Sequence, residues 1–125
     1  MNLGMAGQTV ERISFDYSVS MATSEGFEIR IETAFSIEDP SGHTCSGDPS
    51  RSGKHLSALL AVLHDTLTES KADDTTGLLV LKFASGRQVA VDPHRTYEAW
   101  TVAGPNGEKS VALPGGGLAF WQPVR

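Results

Sequence analysis

Between Ile13 and Ile37 the chain alternates apolar and polar residues with few interruptions, and this period of two most restricts what it can fold into. Ile13, Phe15, Tyr17, Val19 and Met21 alternate with Ser14, Asp16, Ser18 and Ser20. After the turn Thr23-Ser24-Glu25-Gly26, Phe27, Ile29, Ile31, Phe35 and Ile37 alternate with Glu28, Arg30, Glu32, Ser36 and Glu38. Successive side chains on a strand point to opposite faces, so each segment predicts one strand with a buried and a wet face. Two such strands joined by a short turn ending in glycine predict an antiparallel hairpin. The paired carboxylates Glu28 and Glu32 sit across Arg30 on the wet face, which reads as a solvated charge ladder.

From Asp39 to Gly53 the composition shifts to Pro, Gly, Ser and Asp, which predicts a loop. Asp48-Pro49 offers a cap and a first helical residue, with Gly53 delaying the onset. Leu56, Leu59, Leu60, Leu63 and Leu67 then form a single apolar stripe at helical spacing. Ala72 to Gly77 closes that helix and turns the chain. Leu78 to Phe83 is apolar on both parities and predicts a central strand covered on both faces. Strands follow at Val89–Val91, Tyr97–Ala103 and Ser110–Leu113, with Gly104-Pro105-Asn106-Gly107 as a hairpin turn.

The expected order is therefore β-β-α-β-β-β-β, with a further short strand at Leu118 to Trp121. That is the α+β class: a curved, mostly antiparallel sheet of about six strands packed on one main helix. The whole chain, 1–125, reads as one domain, with 1–8 as a flexible lead-in. A helix is about 10 Å across and strands lie about 4.8 Å apart, so one helix covers about two strands' width. The rest of the apolar face must be buried by the sheet curling on itself, by loops, or by a second molecule, the last of which predicts a homodimer.

Composition excludes several classes of function. The net charge is −5, which argues against binding to nucleic acid or to an anionic membrane surface, both of which call for clustered Lys and Arg. Cys45 is the only cysteine, so no intrachain disulfide forms and a reducing, cytoplasmic location is expected. The N-terminal residues lack the positive start and apolar core of a signal peptide, and no apolar run reaches the roughly 18 residues of a membrane helix.

The motifs predict neither catalysis nor a cofactor. Gly47 to His55 superficially resembles a phosphate loop. It has five residues between its glycines instead of four, His55 in place of Ser or Thr, and no preceding strand. His43, Cys45, Asp48 and His55 lack the paired spacing of zinc ligands, and His55 and His64 fall on opposite sides of the expected helix, so no metal is expected. There is no Gly-x-Ser-x-Gly elbow, and Cys45 has only sequence-local histidines near it.

The stretch from Asp92 to Trp121 carries both tryptophans and the densest turn chemistry. Trp100 and Val102 suit the core, with Tyr97 nearer the surface, and Trp121 suits the core as a second large aromatic. The alternative use is recognition, with Asp92, His94, Arg95, Tyr97, Glu98 and Trp121 as candidate binding residues. Phe27 to Glu32, Asp92-Pro93-His94, Tyr97-Glu98-Ala99-Trp100 with Gly104 to Gly107, and Leu113-Pro114-Gly115-Gly116-Gly117 to Trp121 together resemble a family of small, uncharacterised actinobacterial proteins that share a domain of unknown function. The resemblance runs from about Thr9 to Trp121. It implies a stand-alone cytoplasmic domain, with some members similar in size and acidity to immunity proteins of bacterial toxin systems. It carries no catalytic residue with it. The expected function is a non-enzymatic binding protein, an immunity-type or regulatory partner of another protein. The alternative is a small-ligand binder or enzyme with a pocket near His94, Tyr97, Glu98 and Trp121.

Overall fold

The computed structural model describes residues 1–49 and 56–123. Among them the chain forms eleven short strands and one short 3-10 helix. The strands are β1 (Val10–Phe15), β2 (Val19–Thr23), β3 (Glu28–Ile31), β4 (Phe35–Glu38), β5 (Thr44–Gly47), β6 (Leu67–Ala72), β7 (Leu79–Phe83), β8 (Gln88–Val91), β9 (Trp100–Ala103), β10 (Lys109–Ala112) and β11 (Leu118–Trp121). They make two antiparallel sheets: a six-stranded one in the order β1-β2-β3-β9-β10-β11 and a five-stranded one in the order β5-β4-β8-β7-β6. The expected α+β arrangement on one main helix is therefore wrong. A second sheet, not a helix, supplies the cover that the first sheet needs.

Both sheets contribute to one apolar cluster. Met21, Ile29, Ile31, Trp100 and Val102 come from one side, and Ile37, Leu79, Leu81, Val89 and Val91 from the other. The chain passes between the sheets at Glu32–Ala34, and Ile29, Ile31, Thr33, Phe35 and Ile37 stay buried through the crossing. Because both sheets face the same core, the alternation continues unbroken, and the expected single strand Phe27–Glu38 is two. The strand expected at Ile13–Met21 is likewise a hairpin. Asp16 Oδ1 accepts the Ser18 backbone N–H at 2.8 Å, which folds a tight turn and leaves Tyr17 at its tip, 91% exposed.

The expected leucine helix shrinks to a 3-10 helix at Leu56–Val62. Leu59 and Val62, three residues apart, are its buried pair, which suits three residues per turn; Leu60 and Leu63 are exposed. His64 adopts φ 67°, the left-handed conformation, and ends the turn. Leu67, assigned from the sequence to the helix stripe, opens β6. An irregularity between Leu67 and Glu69 in the β6–β7 register breaks the alternation along β6 and hides its strand character. The expected 39–53 loop contains β5, paired with β4. Ser50 to His55, with the expected helix onset near Gly53 and His55 of the metal-ligand set, lie outside the described residues.

Residues 1–8, read from the sequence as a flexible lead-in, run antiparallel to β6. The Leu3 N–H donates to the Ser70 carbonyl at 2.8 Å, Gly7 to Leu67 at 2.7 Å, and Ala72 to the Met1 carbonyl at 2.9 Å. Leu3 and Met5 are buried. This segment links the β6 edge to β1, so the two sheets join along one side, and β5 and β11 are left as the terminal strands.

Candidate functional site

The strand expected at Tyr97–Ala103 begins only at Trp100, and Asp92–Ala99 is a loop. Within it the His94 and Tyr97 rings stack, with centroids 3.7 Å apart and planes 15° from parallel. His94 Nδ1 accepts the Thr96 backbone N–H at 3.1 Å, and the His94 carbonyl accepts from Gly115 at 2.8 Å. Those contacts spend one ring nitrogen and one ring face on holding the loop. Arg95 and Glu98 are exposed, and Asp92 lines a separate depression of about 150 Å³ with Phe35, Ser36 and Ala90. The structure thus brings His94 and Tyr97 together and leaves Trp121 elsewhere. Gly115 touches His94, whereas Trp121 lies at the far end of β11, about 10 Å beyond Leu118 at strand rise.

Trp100 answers to a structural role. Its side chain is fully buried, and its indole N–H donates to the Gly77 carbonyl at 2.8 Å. Gly77 has φ +86°, and a Cβ there would meet the Gly117 carbonyl oxygen at 3.0 Å. Gly116, at φ +123°, lies so close that a Cβ would meet the Thr76 carbonyl oxygen at 3.3 Å. The turn after β6, the turn between β10 and β11, and the loop before β9 therefore lock together over Trp100. The Tyr97–Trp100 and Pro114–Gly117 segments stand out in the sequence because they build this junction.

The other end of β11 is open. Phe120 is 53% and Trp121 55% exposed, against the expectation that Trp121 is a core aromatic. Lys109 Nζ lies 5.8 Å from the Trp121 ring centroid, in cation–π range. Beside them runs a groove of about 280 Å³, lined by Leu3, Phe27, Val102, Ser110, Phe120 and Trp121 among others. No other residue of the expected rim shares it; the signal that would have found it is an apolar strand, Leu118–Trp121, with no charged residue.

Elsewhere, Glu69, Asp73, Asp16 and Asp39 are engaged by neighbouring groups. Glu69 accepts from Lys71 Nζ at 2.6 Å and Lys82 Nζ at 3.1 Å, and these ammonium groups hold its carboxyl below the usual range. This trio lines a second groove of about 400 Å³ with Asp73, Leu78 and Val80. Backbone N–H groups of Thr76 and Thr75 lower Asp73, the Ser18 N–H lowers Asp16, and the Ser41 hydroxyl lowers Asp39. All three carboxylates cap turns, which accounts for their shifts without chemistry. Among the described residues no three His, Cys, Asp or Glu side chains gather as a metal site. No described helix is long and apolar enough to cross a membrane.

A family model matches residues 1–122, nearly the full length of the chain. The chain belongs to DUF6188, a family of unknown function. No curated protein and no solved structure matches it. Membership in DUF6188 assigns no residue a role, so the functional reading rests on the geometry alone.

Proposed function

We propose that this DUF6188 chain is a non-enzymatic binding protein that engages a protein partner through the β11 end of its six-stranded sheet. The observation that carries this is the exposure of Phe120 and Trp121, each more than half open on a terminal strand, in a chain whose other tryptophan is fully buried. Large aromatics are depleted from ordinary surfaces and enriched where proteins meet. The partner class that fits the net charge of −5 is a basic protein, whose encounter long-range attraction accelerates. An immunity-type or regulatory role in a bacterial, actinobacterial cytoplasm is the finer form of this proposal. Cys45, alone in the sequence, supports that reducing compartment. The alternative small-ligand or enzymatic pocket has less support, because Trp121 stands apart from His94 and Tyr97.

A photo-crosslinking residue placed at position 121 tests the proposal in native cells, with the same residue at Tyr17 as the control. The expected result is a discrete protein adduct from position 121 and none from position 17. A small molecule that co-purifies and raises the melting temperature, with no protein adduct, overturns it.

A further inference from the structure

The backbone of β11 shows which of its groups are free. The Leu113 N–H donates to the Gly117 carbonyl at 3.0 Å, so 113 and 117 form a hydrogen-bonded pair next to the turn. Such pairs alternate along an antiparallel ladder, and the register Ala112↔Leu118, Val111↔Ala119, Ser110↔Phe120, Lys109↔Trp121 carries the alternation on. Ala119 and Trp121 therefore turn their N–H and C=O groups toward β10. Leu118 and Phe120 turn theirs to the open edge, where no described strand pairs with them. Proteins blunt such edges with charge, proline or a bulge. Leu118-Ala119-Phe120-Trp121 is short, at four residues, but has none of these, and Pro114 and Pro123 lie outside it, in the preceding turn and two residues beyond its end.

We infer that a second copy of this chain takes this edge, the two β11 strands pairing antiparallel about a twofold axis at Phe120. The inference rests on the reading of the β11 end as a protein-binding surface and commits its backbone edge to a second copy in place of a basic partner, because the strand that would pair carries no charge. In this register Phe120 faces its own copy, with donor matched to acceptor in both directions. The same symmetry sets each Trp121 opposite the partner's Ala119, a bulky side chain against a small one, on one face of the joined sheet. Phe120 meets Phe120 on the other face. No charged side chain lies on either β11, so the paired strands set no like charges directly opposite one another.

The area sets the strength. Two half-exposed aromatics on each copy supply about 400 Å² of apolar surface in all, taking about 200 Å² for a whole aromatic side chain. A stable specific interface buries about 1,200 Å² or more, so the pairing is a weak, reversible dimer that dissociates at low micromolar concentration.

Light scattering over a concentration series on the full chain is expected to rise from the mass of one copy toward two. Phe120→Pro removes an edge-facing N–H without taking a donor from the β10 pairing, and is expected to raise the dissociation constant about tenfold or more. A second measurement stands if that variant fails to fold. In a Cys45→Ser background, Phe120→Cys places two sulfurs across a pair whose Cα atoms sit about 5.5 Å apart, within disulfide reach. It is expected to form a linked dimer under mild oxidation, while Tyr17→Cys in the same background does not. A mass of one chain up to about 0.5 mM, far above the affinity expected of so small an interface, overturns the inference. Cross-linking at position 120 no faster than at 17 overturns it too. If self-pairing fails while position 121 still captures another protein, the binding reading stands and only the second copy is lost.

Discussion

Trp100 and Trp121 stand on β9 and β11, separated by one strand of the same sheet, and their surroundings differ completely. Trp100 is fully buried, its N–H held by the Gly77 carbonyl and its strand end clamped by two glycine-bearing turns. Trp121 is 55% exposed beside an open groove, with Lys109 over its ring. Three segments distant in sequence converge on the first; the second sits where the sheet runs out. A conspicuous local motif can therefore be conspicuous for packing reasons, and the plainer strand can be the one that meets a partner.

Replacing each tryptophan tests this contrast most directly. Trp100→Ala removes a buried aromatic and orphans the Gly77 carbonyl, and is expected to cost about 3–5 kcal/mol in denaturant unfolding. Trp121→Ala is expected to stay within about 0.5 kcal/mol. A loss above about 2 kcal/mol for Trp121→Ala, the size of a core deletion, would mean that β11 belongs to the core and the open edge does not exist.

The junction over Trp100 gives the next largest effect. Gly77→Ala combines a left-handed φ of +86° with a Cβ at 3.0 Å from the Gly117 carbonyl oxygen, and both the backbone and the turn opposite resist. The expected cost is about 2–3 kcal/mol, seen as a lower denaturation midpoint with an unchanged slope. Full stability in this variant would show that the two turns do not lock.

A smaller effect follows from pH. Asp16, Asp39, Asp73 and Glu69 all have lowered folded pKa values, from turn hydrogen bonds in the first three and from Lys71 and Lys82 in Glu69. The unfolded chain then binds protons at higher pH than the folded one. Their stabilisation is complete above the ordinary carboxylate range near 4 and is lost as the pH falls through the lowered folded values. Melting temperatures are therefore expected to be flat from neutral pH to about 5 and to drop below about 4, where these groups begin to protonate. The drop should shrink slightly in Glu69→Gln, since its pairs are exposed and individually weak. A melting temperature that rises on acidification would reverse the sign and contradict these contacts.

Much of the strand content was legible because strands write a period of two into the sequence. Val19, Met21, Ile29, Ile31, Ile37, Val89, Val91 and Val102 are all inward-facing, as their alternation requires, whereas Leu79–Phe83, expected to be covered on both faces, buries only Leu79, Leu81 and Phe83 and leaves Lys82 exposed. The candidate site was less legible. His94 and Tyr97 do meet, but Trp121 joins a groove with Leu3 and Phe27 that only the return of the N-terminal segment creates.

What the sequence determined by itself was local: which face of each strand is apolar, where glycines permit a left-handed turn, and the acidic charge. What the tertiary structure decided was how many strands there are and what covers them. Alternation along Ile29 to Ile37 is the same whether the residues form one strand or two in facing sheets, because both sheets look into one core. The leucines from Leu56 to Leu67 have helical spacing, yet β7 offers Leu67 to Ala72 a hydrogen-bonded neighbour across which a strand forms. A short helix of marginal intrinsic stability yields to such pairing, since most helical stability in proteins comes from packing and not from propensity.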